Sequence, residues 1–198
     1  MKIFALALLL AAASPALAQT DASPSAAQPT ATIETAQGDI VIALDRAHAP
    51  VTVDNFIRYA REGHFDGTII YRVVPGFVIQ MGSYMPDGSA KPTHDPIALE
   101  ANNGLKNVKG AVAMARTDPN SATAEFFIDM DDIPSLDATP GDTANTTGYA
   151  VFGHVVSGMD AVEKIASAPL GGQGPFGPDA SPMNPVVIER VTVSEASP

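Results

Sequence analysis

Alternation of side chains along the chain predicts a fold built mainly from short β-strands. Residues 40–44 are apolar at every position and alternate between faces, which is typical of a strand with at least one buried face. A glycine-containing turn at 36–38 separates this strand from a first strand at 31–35. Further β-rich runs fall at about residues 69–73, 77–81, 111–115, 126–130, 149–156 and 186–193.

Two other segments have the spacing of amphipathic helices. Apolar residues recur from Val53 at i, i+3, i+4 and i+7, with Pro50 suited to the helix start and Gly63 to its end. The second segment, residues 158–167, also has an apolar face and is followed by Pro169. Many short strands with only two helices favour an antiparallel barrel over a parallel α/β sheet.

The first eighteen residues have the three parts of a cleavable signal peptide. Lys2 supplies the positive end, residues 3–13 are apolar, and residues 16–18 form a small-x-small processing site. The apolar run is too short to span a bilayer comfortably, so a transmembrane anchor is the less favoured alternative. We predict cleavage after Ala18 and a mature protein without a membrane anchor.

Composition divides the rest of the chain into a linker and one domain. Residues 19–31 are rich in Ala, Ser, Pro, Thr and Gln and are predicted to be a disordered linker, followed by a single domain over 32–198. The chain contains no cysteine, so the domain must be stabilised by its core alone. The net charge is −11 and becomes −12 when Lys2 leaves with the signal peptide, which disfavours nucleic acid and anionic lipid as partners.

The segment 70–82 carries the most informative chemistry. Arg72, Phe77 and Gln80 stand on two β-like runs joined by a Pro-Gly bend, and strand geometry allows all three to face one concave surface. A guanidinium fork beside an apolar ring suits a neutral, hydrogen-bonding ligand better than a phosphate or a metal. From this spacing alone, however, a plain hairpin with a solvated arginine is favoured.

Three ordered motifs together resemble the cyclophilin peptidyl-prolyl cis-trans isomerases. The first is IYRVVPGFVIQMG at 70–82, similar to the family's FHRVIPGFMIQGG. The second is GAVAMAR at 110–116 with SATAEFFI at 121–128, and the third is SLD at 135–137 followed by GYAVFGHV at 148–155. The resemblance runs from about residue 32 to residue 193, and several motifs in order are far harder to match by chance than one.

The resemblance implies a closed eight-stranded antiparallel β-barrel capped by an α-helix at each end. It also implies an isomerase without cofactor or metal that acts on proline-containing segments, with Arg72 as the catalytic donor. Without the motifs, Phe127 and Leu136 fit an ordinary core, and Gln80 fits a surface amide. The substrate-binding residues that the resemblance implies are Phe77, Val78, Gln80, Ala115, Arg116, Glu125, Phe127, Leu136 and Tyr149.

Several positions depart from the family's usual pattern. Tyr71 stands before the arginine where the family often has His, and Glu125 replaces a common Gln. Ser135 replaces an aromatic residue, which predicts a shallower pocket, and Tyr149 occupies the place of a frequent histidine. We expect Glu125 to lie within reach of Arg72, where it either holds the guanidinium or competes with substrate for it.

Other candidate motifs fail on their context. Residues 172–177 satisfy G-x-G-x-x-G, but they follow a helix, contain proline and open no helix, so they are predicted to be an ordinary loop. The acidic run 129–132 is broken before it forms a calcium loop, and the four histidines lack metal-ligand spacing.

The sequence therefore predicts an exported, monomeric prolyl isomerase. Its expected partners are proline-containing segments of other exported proteins that are unfolded or partly folded, and it would assist their folding. The short signal and the absence of cysteine favour a periplasm over secretion or another secretory compartment. The rival interpretation is a binding module of the same fold that holds proline segments without isomerising them. Glu125 and Ser135 are the features that favour this rival.

Overall fold

The computed structural model describes residues 28–195, so the predicted signal peptide and most of the predicted linker lie outside the described residues. Eight strands and two α-helices make up this part of the chain. The strands β1 to β8 are Thr30–Thr35, Ile40–Leu44, Ile70–Val74, Val78–Met81, Ala111–Met114, Phe126–Asp129, Val151–Ser157 and Ile188–Ser194. The α-helices are α1, Pro50–Arg61, and α2, Met159–Ala166, and a single 3₁₀ turn spans Pro134–Leu136.

The strands form one curled antiparallel sheet in the order β3-β4-β6-β5-β7-β2-β1-β8. Its two edges meet just before β3 and β8, where Ile69 pairs with Val187. The backbone N–H of Ile188 donates to the carbonyl of Thr68 at 2.8 Å across the same seam. A short bridge therefore closes the sheet in place of a full ladder of hydrogen bonds. The predicted eight-stranded antiparallel barrel with two helices is confirmed.

Helix α1 packs against an aromatic cluster in the barrel interior. The Phe56 ring of α1 lies 5.2 Å from Phe65 and 5.3 Å from both Phe126 and Phe152, measured between ring centroids. Helix α1 packs against β7 and β8, and α2 packs against β2, β3 and β4. The apolar residues predicted for the buried stripe of α1 are all buried: Val53, Phe56, Ile57 and Ala60.

The first helix begins at Pro50, as predicted. The N–H groups of its first turn, which have no partner within the helix, are hydrogen-bonded by a distant loop. The Glu100 carboxylate accepts hydrogen bonds from the N–H groups of Val51 at 3.1 Å and Thr52 at 2.8 Å, and from the Thr52 hydroxyl at 2.7 Å. A carboxylate is well placed there because the N-terminus of a helix carries partial positive charge.

The first strand begins at Thr30, two residues before the expected domain boundary at 32. Ala31 is fully buried and pairs with Ile42 on one side and Val193 on the other. The last residues of the predicted linker are therefore part of the barrel.

Strands β4, β5 and β6 differ from the others because every residue in them is buried. Their inward residues join the barrel core, whereas Val78, Ala113 and Phe127 point to the opposite face and form a second apolar cluster. Ile133, from the loop after β6, covers part of this cluster. This second apolar cluster, on the outer face of the sheet, underlies the candidate site.

Candidate active site

The candidate site follows one row of directly opposed residues across the outer face of the sheet. Arg72 of β3 is opposite Gln80 of β4, which is opposite Phe127 of β6. Phe127 is in turn opposite Ala113 of β5, and Ala113 is opposite Val151 of β7. Neighbouring strands lie about 5 Å apart, so this register places the guanidinium, the carboxamide and the aromatic ring side by side.

An irregularity in β3 brings Tyr71 to the same side as Arg72. Ile70 is opposite Met81 and Arg72 is opposite Gln80, so β3 has one more residue than β4 over this stretch. Such a bulge interrupts the alternation of side chains between faces. Ile70 belongs to the interior core, whereas Tyr71 and Arg72 both reach Gln80.

Four polar side chains form a continuous hydrogen-bond network around Gln80. Arg72 Nη1 donates to Gln80 Oε1 at 3.0 Å, and Gln80 Nε2 donates to the Tyr71 hydroxyl at 2.7 Å and to Glu125 Oε2 at 3.0 Å. The Tyr71 hydroxyl donates to the same Glu125 oxygen at 2.6 Å. A carboxylate only accepts hydrogen bonds, so it holds the NH₂ of Gln80 toward itself and turns the carbonyl toward Arg72.

Glu125 and Arg72 do not form the direct ion pair that the sequence left open. Gln80 lies between them, and the hydrogen bonds that connect the carboxylate with the guanidinium pass through this carboxamide. Burial raises the pKa of Tyr71 well above its ordinary value, and the negative charge of Glu125 raises it further. Tyr71 therefore stays protonated and keeps donating to Glu125 throughout the physiological range.

An apolar wall stands beside this network. The rings of Phe127 and Tyr149 meet edge to face with centroids 5.5 Å apart, and the Tyr149 N–H donates to the carbonyl of Leu136 at 2.9 Å. The Arg116 guanidinium lies 5.1 Å from the centre of the Tyr149 ring, and its Nε donates to the Gly148 carbonyl at 2.8 Å. The loop 134–149 is thereby attached to the sheet at the edge of the cavity.

All ten residues predicted from the sequence line one open cavity of about 440 Å³. They are Arg72, Phe77, Val78, Gln80, Ala115, Arg116, Glu125, Phe127, Leu136 and Tyr149. Ser135 is exposed and does not line it, and the shallower pocket expected from this residue stays a prediction. The sequence interpretation missed four lining residues: Thr117, Ser121, Thr123 and Phe176.

Phe176 belongs to the loop 171–181, which contains the G-x-G-x-x-G residues 172–177. Its ring lies parallel to that of Tyr71, at 13° and 5.9 Å, and its centre is 5.0 Å from the central carbon of the Arg72 guanidinium. The available signal was an apolar aromatic residue in a loop of glycine and proline. Nothing local in the sequence connected that loop with strand β3.

A buried carboxyl group lies at the end of strand β6. Asp129 is fully buried, and neither of its carboxyl oxygens has a hydrogen-bond partner within residues 28–195. Burial raises the pKa of Asp129 to about 8, with a further contribution from the charge of Asp137. Asp137 is held in place by the N–H and the side-chain amide of Asn107, at 2.8 and 3.0 Å.

The chemistry available at this site is that of binding and hydrogen-bond donation. The site combines an oriented guanidinium with an apolar pocket. Residues 28–195 hold no group of three or more His, Cys, Asp or Glu side chains placed to bind a metal ion. This arrangement suits a neutral ligand that has an apolar ring next to a hydrogen-bond acceptor.

Comparison with known proteins agrees with the fold and the site. Residues 30–193 match the family model "Cyclophilin type peptidyl-prolyl cis-trans isomerase/CLD". The chain is 48% identical over 162 residues to peptidyl-prolyl cis-trans isomerase B of Escherichia coli, covering 81% of this chain and 97% of that protein. It is 41% identical over 185 residues to peptidyl-prolyl cis-trans isomerase A of Dickeya dadantii, covering 93% and 91%.

A solved structure supports the same fold. The crystal structure of a Cryptosporidium parvum cyclophilin type isomerase, determined in the presence of the dipeptide Ala-Pro, superimposes with a TM-score of 0.70 at 22% identity. The match covers 84% of this chain and 99% of that one.

The chain belongs to the cyclophilin type peptidyl-prolyl cis-trans isomerases. It is an enzyme that isomerises the peptide bond before proline, and its substrates are proline-containing peptides. The family membership decides between the two interpretations of the sequence in favour of the isomerase over the binding module.

Proposed function

We propose that Arg72 accelerates isomerisation by donating to the nitrogen of the twisted X-Pro amide in exported client proteins. Rotation about this bond meets a barrier of about 18–20 kcal/mol that arises from amide resonance. The two planar forms differ by only about 0.5–1 kcal/mol, so the catalyst needs to stabilise the twisted form and not either product. Loss of resonance makes the amide nitrogen a better acceptor, and a preorganised donor aimed at it lowers the barrier.

The observation that carries this proposal is the way Arg72 is held. One N–H of its guanidinium is bound by Gln80 and one side lies against the ring of Phe176. No acceptor within residues 28–195 is bound to its other N–H groups, and the side chain lines the cavity. A rigid fork with spare donors therefore faces the space that a peptide would occupy.

The apolar wall is proposed to hold the proline ring. Phe77, Val78, Phe127, Leu136 and Tyr149 surround one part of the cavity, and a pyrrolidine ring placed there would leave water. Gln80 would position both Arg72 and the peptide backbone. Ala115 and Arg116 would contact the extended part of the substrate, and Glu125 would act through Gln80.

Exported proteins are the proposed clients, and the periplasm is the proposed compartment. The N-terminal pattern of positive, apolar and small-x-small segments supports this. The alignment with the Dickeya dadantii isomerase spans 185 residues, more than the described part of the chain, so it reaches into the N-terminal segment. Within residues 28–195, no helix is long and apolar enough to cross a membrane.

A protease-coupled assay on a short Xaa-Pro peptide tests the catalytic part of the proposal. We expect the protein from Gln19 onward to accelerate cis-to-trans conversion and the Arg72→Ala variant to lose most of this rate while still binding peptide. Arg61→Ala is the matched control, because Arg61 is an exposed arginine that pairs with Glu195 outside the cavity. Equal rates for the wild-type protein and Arg72→Ala would overturn the assigned role of Arg72.

A further inference from the structure

Phe176 differs from the other apolar residues of the site because it is exposed and yet packs against two side chains. The side chain is 49% exposed although its ring stacks on Tyr71 and lies against Arg72. Large apolar side chains that line a cavity and remain half exposed are frequent contact points for ligands. No role in the network around Gln80 accounts for the exposed part of this ring.

The loop that carries Phe176 is tied to strand β3, which carries Arg72. The N–H of Val73, the residue after Arg72, donates to the carbonyl of Ala180 at 2.8 Å. The two ends of the loop are joined where the N–H of Gly172 donates to the carbonyl of Ser181 at 2.9 Å. The ring is therefore presented to the cavity by a framework attached to the catalytic strand.

Close packing across this loop requires glycine at two positions. A Cβ atom at Gly172 would collide with the carbonyl of Pro182, and one at Gly174 would collide with the side chain of Ser181. Glycine is needed at both positions because the backbone approaches the opposite side of the loop closely. The glycines of the G-x-G-x-x-G pattern thus allow a compact loop, and this loop carries the aromatic ring of residue 176.

We infer that Phe176 is a specificity-determining residue, forming a second apolar subsite for a large apolar side chain that immediately flanks the proline of the substrate. This inference rests on the proposed function of Arg72. The proline pocket centres on Phe127 and Tyr149, whereas Phe176 stands over the guanidinium at the other aromatic pair of the cavity. Because the Phe176 ring centre lies 5.0 Å from the guanidinium carbon, a peptide whose amide nitrogen meets Arg72 would have its neighbouring side chain within reach of that ring. Burying an apolar side chain against that ring favours such peptides over those with alanine.

The test measures isomerisation of short peptides by NMR exchange, which needs no coupled protease. The set has the form Ala-Xaa-Pro-Yaa-Ala, with Ala or Leu at Xaa and Ala or Leu at Yaa. For the wild-type protein we expect kcat/KM to be about 3- to 10-fold higher with leucine than with alanine at one of the flanks. In Phe176→Ala this preference should fall to about one, whereas Phe176→Leu should keep most of it.

Two comparisons separate specificity from a structural effect. If Phe176 only orients Arg72, Phe176→Ala slows every peptide by the same factor and the leucine preference survives, which overturns the inference. Met183→Ala is the control, because Met183 is 60% exposed near the same loop and does not line the cavity. Its rates and preference should equal those of the wild type.

Failure of the inference can be distinguished from failure of the proposed function. A wild-type protein that accelerates all peptides equally, without preference at either flank, refutes the subsite and leaves the isomerase mechanism intact. A wild-type rate that is unchanged by Arg72→Ala refutes the proposed mechanism instead.

Discussion

Gln80 separates Glu125 from Arg72 and binds both, each at 3.0 Å. The Glu125 carboxylate only accepts hydrogen bonds, so it fixes which way the Gln80 amide faces, and the amide oxygen in turn orients the guanidinium. The Tyr71 hydroxyl accepts from the same Gln80 nitrogen and donates to Glu125, so Tyr71 and Glu125 hold the nitrogen end of the carboxamide and Arg72 holds its oxygen end. Orientation of Arg72 therefore depends on Gln80 of the adjacent strand, on Glu125, which is distant in the sequence, and on Tyr71, which the bulge brings to the same side.

Replacing Glu125 should affect catalysis more than stability if the replacement still accepts hydrogen bonds. Glu125→Gln keeps an acceptor for Tyr71 and Gln80 but no longer imposes one orientation, so we expect kcat/KM to change several-fold and the free energy of unfolding by about 0.5–1.5 kcal/mol, the net contribution of one hydrogen bond. Glu125→Ala leaves two buried donors without an acceptor and should cost about 1–3 kcal/mol for each. Peptide assays and urea unfolding measure both effects.

The control for Glu125 is Glu163→Gln, which removes an exposed carboxylate paired with Lys109 outside the cavity. Its catalytic rate should not change. Loss of activity as large as that of Arg72→Ala in the Glu125→Gln variant would show that Glu125 acts directly on substrate and not through Gln80.

Arg72 should contribute to the rate more than to peptide affinity. Arg72→Ala removes a donor that acts chiefly on the twisted amide, so kcat/KM should fall by about 10²–10³. Arg72→Lys should recover only part of this loss, because an ammonium is a point charge without the planar fork that Gln80 and Phe176 hold. Exchange-rate and titration measurements on one proline peptide separate the two quantities. Full activity in the lysine variant would contradict this explanation.

Phe127 should contribute to both binding and stability. Its side chain is 4% exposed, so Phe127→Ala should cost about 3–5 kcal/mol of folding free energy and raise KM for every Xaa-Pro peptide. Phe126→Ala is the informative comparison, since Phe126 points into the barrel core from the neighbouring position. It should lose a similar amount of stability while its folded fraction retains peptide affinity. Equal affinity losses in both variants would argue against a pocket at Phe127.

Asp129 should make stability depend on pH in the opposite sense to an ordinary paired carboxylate. Its pKa of about 8 in the folded state exceeds the ordinary value of 3.8, so the folded state binds more protons than the unfolded state between these pH values. The contribution of Asp129 is therefore fully present at acid pH and is lost as pH rises toward 8. The expected slope is about −1.4 kcal/mol per pH unit between about pH 5 and pH 7.

Comparison with Asp129→Asn isolates this contribution. The variant lacks the titrating group and keeps the shape, so its free energy of unfolding minus that of the wild type should increase from pH 5 to pH 8. Urea unfolding at four or more pH values provides the curve. A difference that stays constant with pH would mean that Asp129 is ionised in the folded protein.

Export should remove the first eighteen residues. We expect the mature protein to begin at Gln19, because Ala16-Leu17-Ala18 is the processing site next to the apolar run. Intact-mass measurement of protein recovered from the exported fraction checks this. A product that still carries Met1 would support the alternative of an N-terminal anchor.

Local sequence was sufficient to identify most elements and ten of the fourteen residues that line the cavity. Strand alternation, the i, i+3, i+4 spacing of α1 and the turn residues depend on neighbours within a few positions, so they can be read without a fold. The motifs around Arg72, Phe127 and Tyr149 led to the family and hence to ten residues that line one cavity.

Tertiary structure alone decided what depends on contacts between distant segments. The bulge that turns Tyr71 toward Gln80 arises from the register of two strands, and the Phe176 ring reaches Arg72 only because its loop binds strand β3. The same holds for the Glu100 carboxylate at the start of α1 and for the burial that raises the pKa of Asp129. Hydrogen bonds, burial and pKa values are set by whichever groups the folded chain brings together, and spacing along the sequence does not specify those groups.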